Sequence, residues 1–106
     1  MPVYWTEYLK ARGELDNSIQ FWVKRKEELI LQNPLVHPFL KDYEKVRKYK
    51  TKKLRIYYFL SRERPELYKQ LFDSEPNNNE VVFLYVALRD EDTYKELAEI
   101  FRKHNI

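Results

Sequence analysis

The chain has 106 residues, 43% hydrophobic and 16% aromatic, enough to close one core without disulfides. No cysteine and a single glycine, Gly13, argue against thiolate metal sites, cysteine nucleophiles and Gly-rich phosphate loops, and so against kinases, NTPases and dinucleotide enzymes. The net charge is only +3, but ten Lys or Arg stand against three acids between Lys41 and Arg64, so the rest of the chain is net acidic.

The opening MPVYWTEYLK has no apolar signal core, and no apolar run approaches the roughly 18 residues of a membrane span. The expectation is a soluble cytoplasmic protein, one domain over residues 1–106. Val3, Trp5 and Thr6 favour a strand, whereas Tyr8-Leu9-Lys10-Ala11 starts a helical pattern that Gly13 interrupts; a strand is the preferred reading of Pro2 to Leu9. From Asn17 the spacing of Ile19, Trp22, Val23, Leu29 and Ile30 is helical, with Lys26 the one polar interruption and Trp22 assigned to the core. Asn17-Ser18-Ile19-Gln20 resembles a capping box. Asn33-Pro34 ends this helix, and His37-Pro38 keeps the connection extended.

Two strands follow, Val46 to Thr51 and Lys53 to Arg62, joined by a tight turn near Thr51-Lys52. Pro65 suits the first turn of a short helix over Glu66 to Phe72. DSEPNNNE is a loop, and Glu80 to Leu88, almost wholly apolar, predicts a central strand covered on both faces. Asp90 to Lys103 predicts a helix, acidic in its first turn and basic in its last. The order β-α-β-β-(α)-β-α is an α+β domain, a largely antiparallel sheet packed against N-terminal and C-terminal helices with a helical insertion before the last strand.

Side chains two apart on a strand share a face. Lys53, Arg55, Tyr57 and Phe59 therefore share one, as do Lys48 and Lys50. On the last strand Val81, Phe83, Tyr85, Ala87 and Arg89 share a face, opposite Val82, Leu84, Val86 and Leu88. If Arg55 and Arg89 meet on one side of the sheet, that side mixes cations with rings, which can neutralise phosphates and stack bases. An edge blunted by solvated cations, their stems covering the rings, fits the same pattern. Asp90-Glu91-Asp92 reads as helix capping rather than a metal site, because adjacent positions diverge. Nothing brings His37 and His104 together. The stripe Tyr94, Leu97, Ala98 and Phe101 reads as packing, with Tyr94 at its end free for a second use.

VRKYKTKKLRIYYFL (Val46 to Leu60), followed by EVVFLYVALRDEDTYKEL (Glu80 to Leu97), resembles the RelE/ParE superfamily of toxins from toxin–antitoxin pairs. The shared pattern is a basic strand, a turn, a strand beginning near an arginine, an apolar strand ending in an arginine, and a tyrosine several residues later. It covers Phe39 to about Phe101. The long segment Ser61 to Asn79 departs from the short hairpin usual in the family. RelE-type members enter the ribosomal A site and cut mRNA without a metal or other cofactor, under the control of a cognate antitoxin. The resemblance implies catalytic roles for Lys48, Lys50, Arg55, Arg89 and Tyr94 around one concavity, with Lys52, Lys53, Tyr57 and Tyr85 binding RNA. Arginines suit phosphate clamping, a crowded lysine can serve as base, and a tyrosine among cations is expected to have a lowered pKa. The resemblance also admits a ParE-like module that poisons gyrase without cutting RNA, and the residues admit a plain RNA-binding domain.

Overall fold

Tertiary packing divides the N-terminal segment between both of its sequence readings. The computed structural model describes residues 2–77, 79–89 and 93–106. It opens with a short strand, β1 (Pro2–Tyr4), that runs directly into helix α1 (Thr6–Gly13). The glycine ends this helix instead of interrupting it. Helix α2 (Asn17–Gln32) leads to β2 (Val46–Lys50) and β3 (Leu54–Leu60); α3 (Pro65–Phe72), β4 (Val81–Leu88) and α4 (Thr93–Lys103) complete the order. The acids at 90–92, read from sequence as a helix cap, lie outside the described residues.

Among the described residues the strands form one sheet in the order β1-β4-β3-β2, with β1 parallel to β4 and the other pairs antiparallel. The apolar strands β3 and β4 occupy the centre and are covered on both sides. Tyr8, Val23 and Ile30 of the first two helices pack on Leu54, Ile56, Tyr58, Val81, Phe83 and Val86. On the other side Leu67, Leu97 and Phe101 of α3 and α4 pack on Val46, Tyr57, Phe59, Val82 and Leu84.

Two expectations for α2 are corrected. Trp22 is 55% exposed, because the buried line of the helix runs through Val23, Glu27 and Ile30, about one residue round from the one inferred from spacing. Glu27 is buried because three donors surround it: Tyr8 Oη at 2.6 Å, Tyr4 Oη at 3.3 Å and Arg12 Nη1 at 2.9 and 3.1 Å. The capping box does not form either. Asp16 stands at the N-cap without a side-chain bond, and Gln20 Nε2 instead donates to the Leu15 carbonyl at 2.8 Å.

Arg47, within the basic strand, faces away from its lysine neighbours and anchors the preceding connection. Nη1 donates to the carbonyls of Leu35 and His37, and Nη2 donates to both carboxylate oxygens of Glu63 at 3.0 and 2.9 Å. The guanidinium also lies 4.2 Å over the Phe39 ring, so this arginine's role is to clamp the chain. The segment between β3 and β4 is a structured addition: Leu67 and Tyr68 are buried, and Gln70 Nε2 donates to the Asn105 carbonyl at 2.9 Å. It leaves the sheet where Leu60 faces Val81, five residues along β3 from Arg55, or about 17 Å.

Candidate nucleic-acid interface

An irregularity in β4 decides which side chains meet. Tyr57 lies opposite Tyr85, but Tyr58 lies opposite Phe83, leaving Leu84 as an extra residue in a β-bulge. Strict alternation would set Tyr85, Ala87 and Arg89 on the face of Phe83, towards α1 and α2. The bulge reverses the phase, so Leu84 and Tyr85 both join the α4 side while Phe83 and Val86 join the other. The expectation that Phe83 and Tyr85 share a face is thereby corrected. Continuing the alternation from Tyr85 assigns Ala87 and Arg89 to the α4 side.

The registers then stack the cations in rows. Lys48, Tyr57 and Tyr85 form one row across β2, β3 and β4. Lys50, Arg55 and Ala87 form the next. One row further, the Arg89 amide donates to the Lys53 carbonyl at 2.6 Å. Rows on one face are about 7 Å apart and strands about 4.8 Å, so Lys48, Lys50, Arg55 and Arg89 occupy a patch about 17 Å across. Lys50 and Arg89 are exposed, Lys48 is half-buried, and Arg55 is 9% exposed. Arg55 Nη1 donates to the carbonyls of Thr51 (2.6 Å) and Leu54 (3.0 Å), fixing a positive charge beneath the hairpin end. Thr51 Oγ1 accepts from the amides of Lys53 and Leu54 and closes the turn, leaving Lys52 and Lys53 exposed at its tip.

The beginning of α4 reaches over the Tyr57–Tyr85 row. Tyr85 Oη donates to Glu96 Oε2 at 2.7 Å, and Tyr94 Oη donates to Asp42 Oδ2 at 2.6 Å. Tyr94 also lies 6.1 Å from the ring of Tyr43. The Asp42 hydrogen bond, followed by burial and the carboxylate's charge, pushes the Tyr94 phenol up to about 12. The lowered value expected among cations is therefore not found: the nearest charge is an acid. Tyr57 is 2% exposed, so its ring belongs to the core and offers no stacking surface.

The cationic patch, expected from sequence to line a single concavity, lies outside two depressions of the described surface. One depression beside it is lined by Tyr43, Tyr94, Lys95 and Arg102 among others, and another lies between α2 and the β2–β3 hairpin. Neither is lined by Lys48, Lys50, Arg55 or Arg89. Asp42 and Glu96 are the site residues that sequence reasoning missed. Both are single acids next to a lysine in the sequence, and only the folded chain sets them against the tyrosines. Among the described residues no group of three His, Cys, Asp or Glu is placed to hold a metal ion, and no helix is long and apolar enough to cross a membrane. His37 meets Tyr49 edge to face while His104 lies against Trp5, in separate parts of the molecule.

The fold defined by this sheet and its helices is RelE-like, an α+β fold. A chain of the intact E. coli RelBE toxin–antitoxin complex matches with a TM-score of 0.60 at 15% identity, covering 86% of this chain and 98% of that one. The isolated E. coli RelE toxin matches with a TM-score of 0.58 at 17% identity, over 94% of this chain and 97% of that one. No protein-family model matches the chain, and no curated protein matches its sequence.

Proposed function

We propose that this protein is a RelE-type toxin: an endoribonuclease that cuts mRNA at the ribosomal A site in the cytoplasm, without a metal, and is held inactive by a cognate antitoxin. The observation that carries the reading is the bulge at Leu84, which sets Arg89 in phase with Arg55, Lys48 and Lys50 on the side where α4 brings Tyr94. Without that one-residue irregularity the two arginines would stand on opposite faces. The RelBE complex, in which a toxin is bound by its antitoxin, supports an antitoxin as the partner here.

In the proposed reaction the RNA 2′-oxygen attacks the adjacent phosphorus, the P–O5′ bond breaks, and a 2′,3′-cyclic phosphate forms. The 2′ proton passes to a base, and the leaving 5′-oxygen takes up a proton. Arg89 and the lysines offset the extra phosphoryl charge, and Arg55 adds a fixed charge beneath them. Lys48 and Lys50 are the candidate bases. Tyr94 stays protonated at working pH, which suits a ring that stacks on a base and a hydroxyl that positions by donation. The second reading is a non-catalytic ParE-like or RNA- or protein-binding module. It is favoured by one observation, that the Tyr94 hydroxyl is already committed to Asp42.

Growth on induced expression separates the two. The nuclease reading expects the parent to arrest growth with cut transcripts, and Arg89→Ala with Tyr94→Ala to relieve both while folding normally. Equal toxicity of parent and double variant, with intact transcripts, would refute it.

A further inference from the structure

The chain has two tryptophans, and the fold treats them in opposite ways. Trp5 is 4% exposed in the core, whereas α2 holds Trp22 55% exposed. Trp22 borders a groove of about 480 Å³ between α2 and the β2–β3 hairpin, lined also by Leu54, Leu88, Lys26, Lys52 and Lys53. No Asp or Glu is among the described residues lining it. Lys26 Nζ lies 5.7 Å from the centroid of the Trp22 ring, so a cation and an aromatic face are presented together. A ring beside three lysines is the chemistry that holds single-stranded nucleic acid, base on ring and phosphate on cation.

The groove lies on the α2 side of the sheet and comes near the cationic rows at the hairpin end. The Lys53 carbonyl accepts from the Arg89 amide, so one residue of the groove is the strand neighbour of the last arginine in the patch. We infer that this groove is a second, stacking subsite for single-stranded RNA, in which one base lies against Trp22 and its flanking phosphates against Lys26, Lys52 and Lys53. The strand is the one engaged at the patch, turning around the hairpin end past Arg89. This assignment rests on the proposed function only for that strand's identity. The three lysines among the described lining residues and the pairing of Lys53 with Arg89 favour RNA over an apolar protein segment.

The test uses a short 2′-O-methyl oligoribonucleotide, which binds without being cut. Its addition is expected to quench the tryptophan emission of the parent but not of Trp22→Phe, whose remaining tryptophan is buried. By anisotropy of the labelled oligonucleotide, Trp22→Ala is expected to weaken binding about 5- to 150-fold, the usual range for one stacked base. Lys26→Gln and Lys53→Gln are each expected to reduce the salt slope of log affinity by about 0.7. Because Trp22 is exposed, its variants should keep the parent's unfolding midpoint, which is measured alongside. Unchanged affinity in a folded Trp22→Ala overturns the subsite, as does quenching by an acidic amphipathic peptide but not by the oligonucleotide. Transcript cutting by the parent with no Trp22 effect removes the subsite alone; quenching with no cutting of translated mRNA removes the nuclease reading alone.

Discussion

Replacing Glu27 by alanine removes the acceptor at the centre of the α1–α2 interface. Its side chain is 5% exposed and receives Arg12 at 2.9 Å and the fully buried Tyr8 hydroxyl at 2.6 Å. Glu27→Ala leaves a guanidinium and a phenol facing an apolar wall, and breaking a buried pair in this way costs about 3–5 kcal/mol. Arg12 keeps 18% exposure, so part of its charge can rehydrate and the lower end, about 3 kcal/mol, is the expectation. Against roughly 5–15 kcal/mol of total stability for a domain of this size, that is a large fraction. With a urea slope of about 1–3 kcal/mol/M, the midpoint should fall by roughly 1–3 M. The triple variant Tyr8→Phe, Arg12→Met, Glu27→Leu removes the buried pair and the Tyr8 hydroxyl together, leaving only the half-buried Tyr4 hydroxyl, and should recover most of the loss, because a buried pair is often matched by apolar groups of similar volume. A Glu27→Ala variant within about 1 kcal/mol of the parent would refute the account of why α2 turns Trp22 outward.

Asp42→Asn should return the Tyr94 phenol from about 12 towards its usual 10, read as the tyrosinate titration of each protein minus that of its Tyr94→Phe counterpart. Because the folded value is the higher one, the stabilisation that bond contributes is complete below about pH 10 and lost as pH rises through about 12. His37 runs the other way. Burial first, then the Arg47 charge, lower its pKa, so its contribution is present above about pH 6.5 and lost as pH falls through the lowered value. The difference in unfolding midpoint between the parent and His37→Phe should therefore change between pH 7.5 and 5, to the parent's disadvantage; a pH-independent difference contradicts this. Gly13→Ala should raise stability by about 0.4–1 kcal/mol in urea unfolding, since nothing lies within 4 Å of a Cβ at that helical position.

How much of this was legible in the sequence follows from which forces are local. The hairpin, the apolar run of β4, Pro65 at a helix start and the stop at Asn33-Pro34 are written in propensity and pattern, and the structure places elements there. The phase of β4 was not legible. A bulge depends on how Leu84 fits between two strands and the α4 side of the core, and no spacing rule announces it. The buried line of α2 was hidden for a related reason: Glu27 looks like a surface residue until Tyr8 and Arg12, 19 and 15 residues away, are brought to it. The Tyr94–Asp42 bond spans 52 residues, so the sequence could offer a tyrosine among cations but not the acid that changes its chemistry.

The most direct measurement of the central claim is to incubate the purified protein with translating ribosomes and map transcript ends, with the exposed Arg89→Ala variant as control. The account expects new ends within codons in the A site, each cut leaving a 2′,3′-cyclic phosphate, and their loss in a folded Arg89→Ala. Intact transcripts with the parent, or equal cutting by the variant, would contradict it.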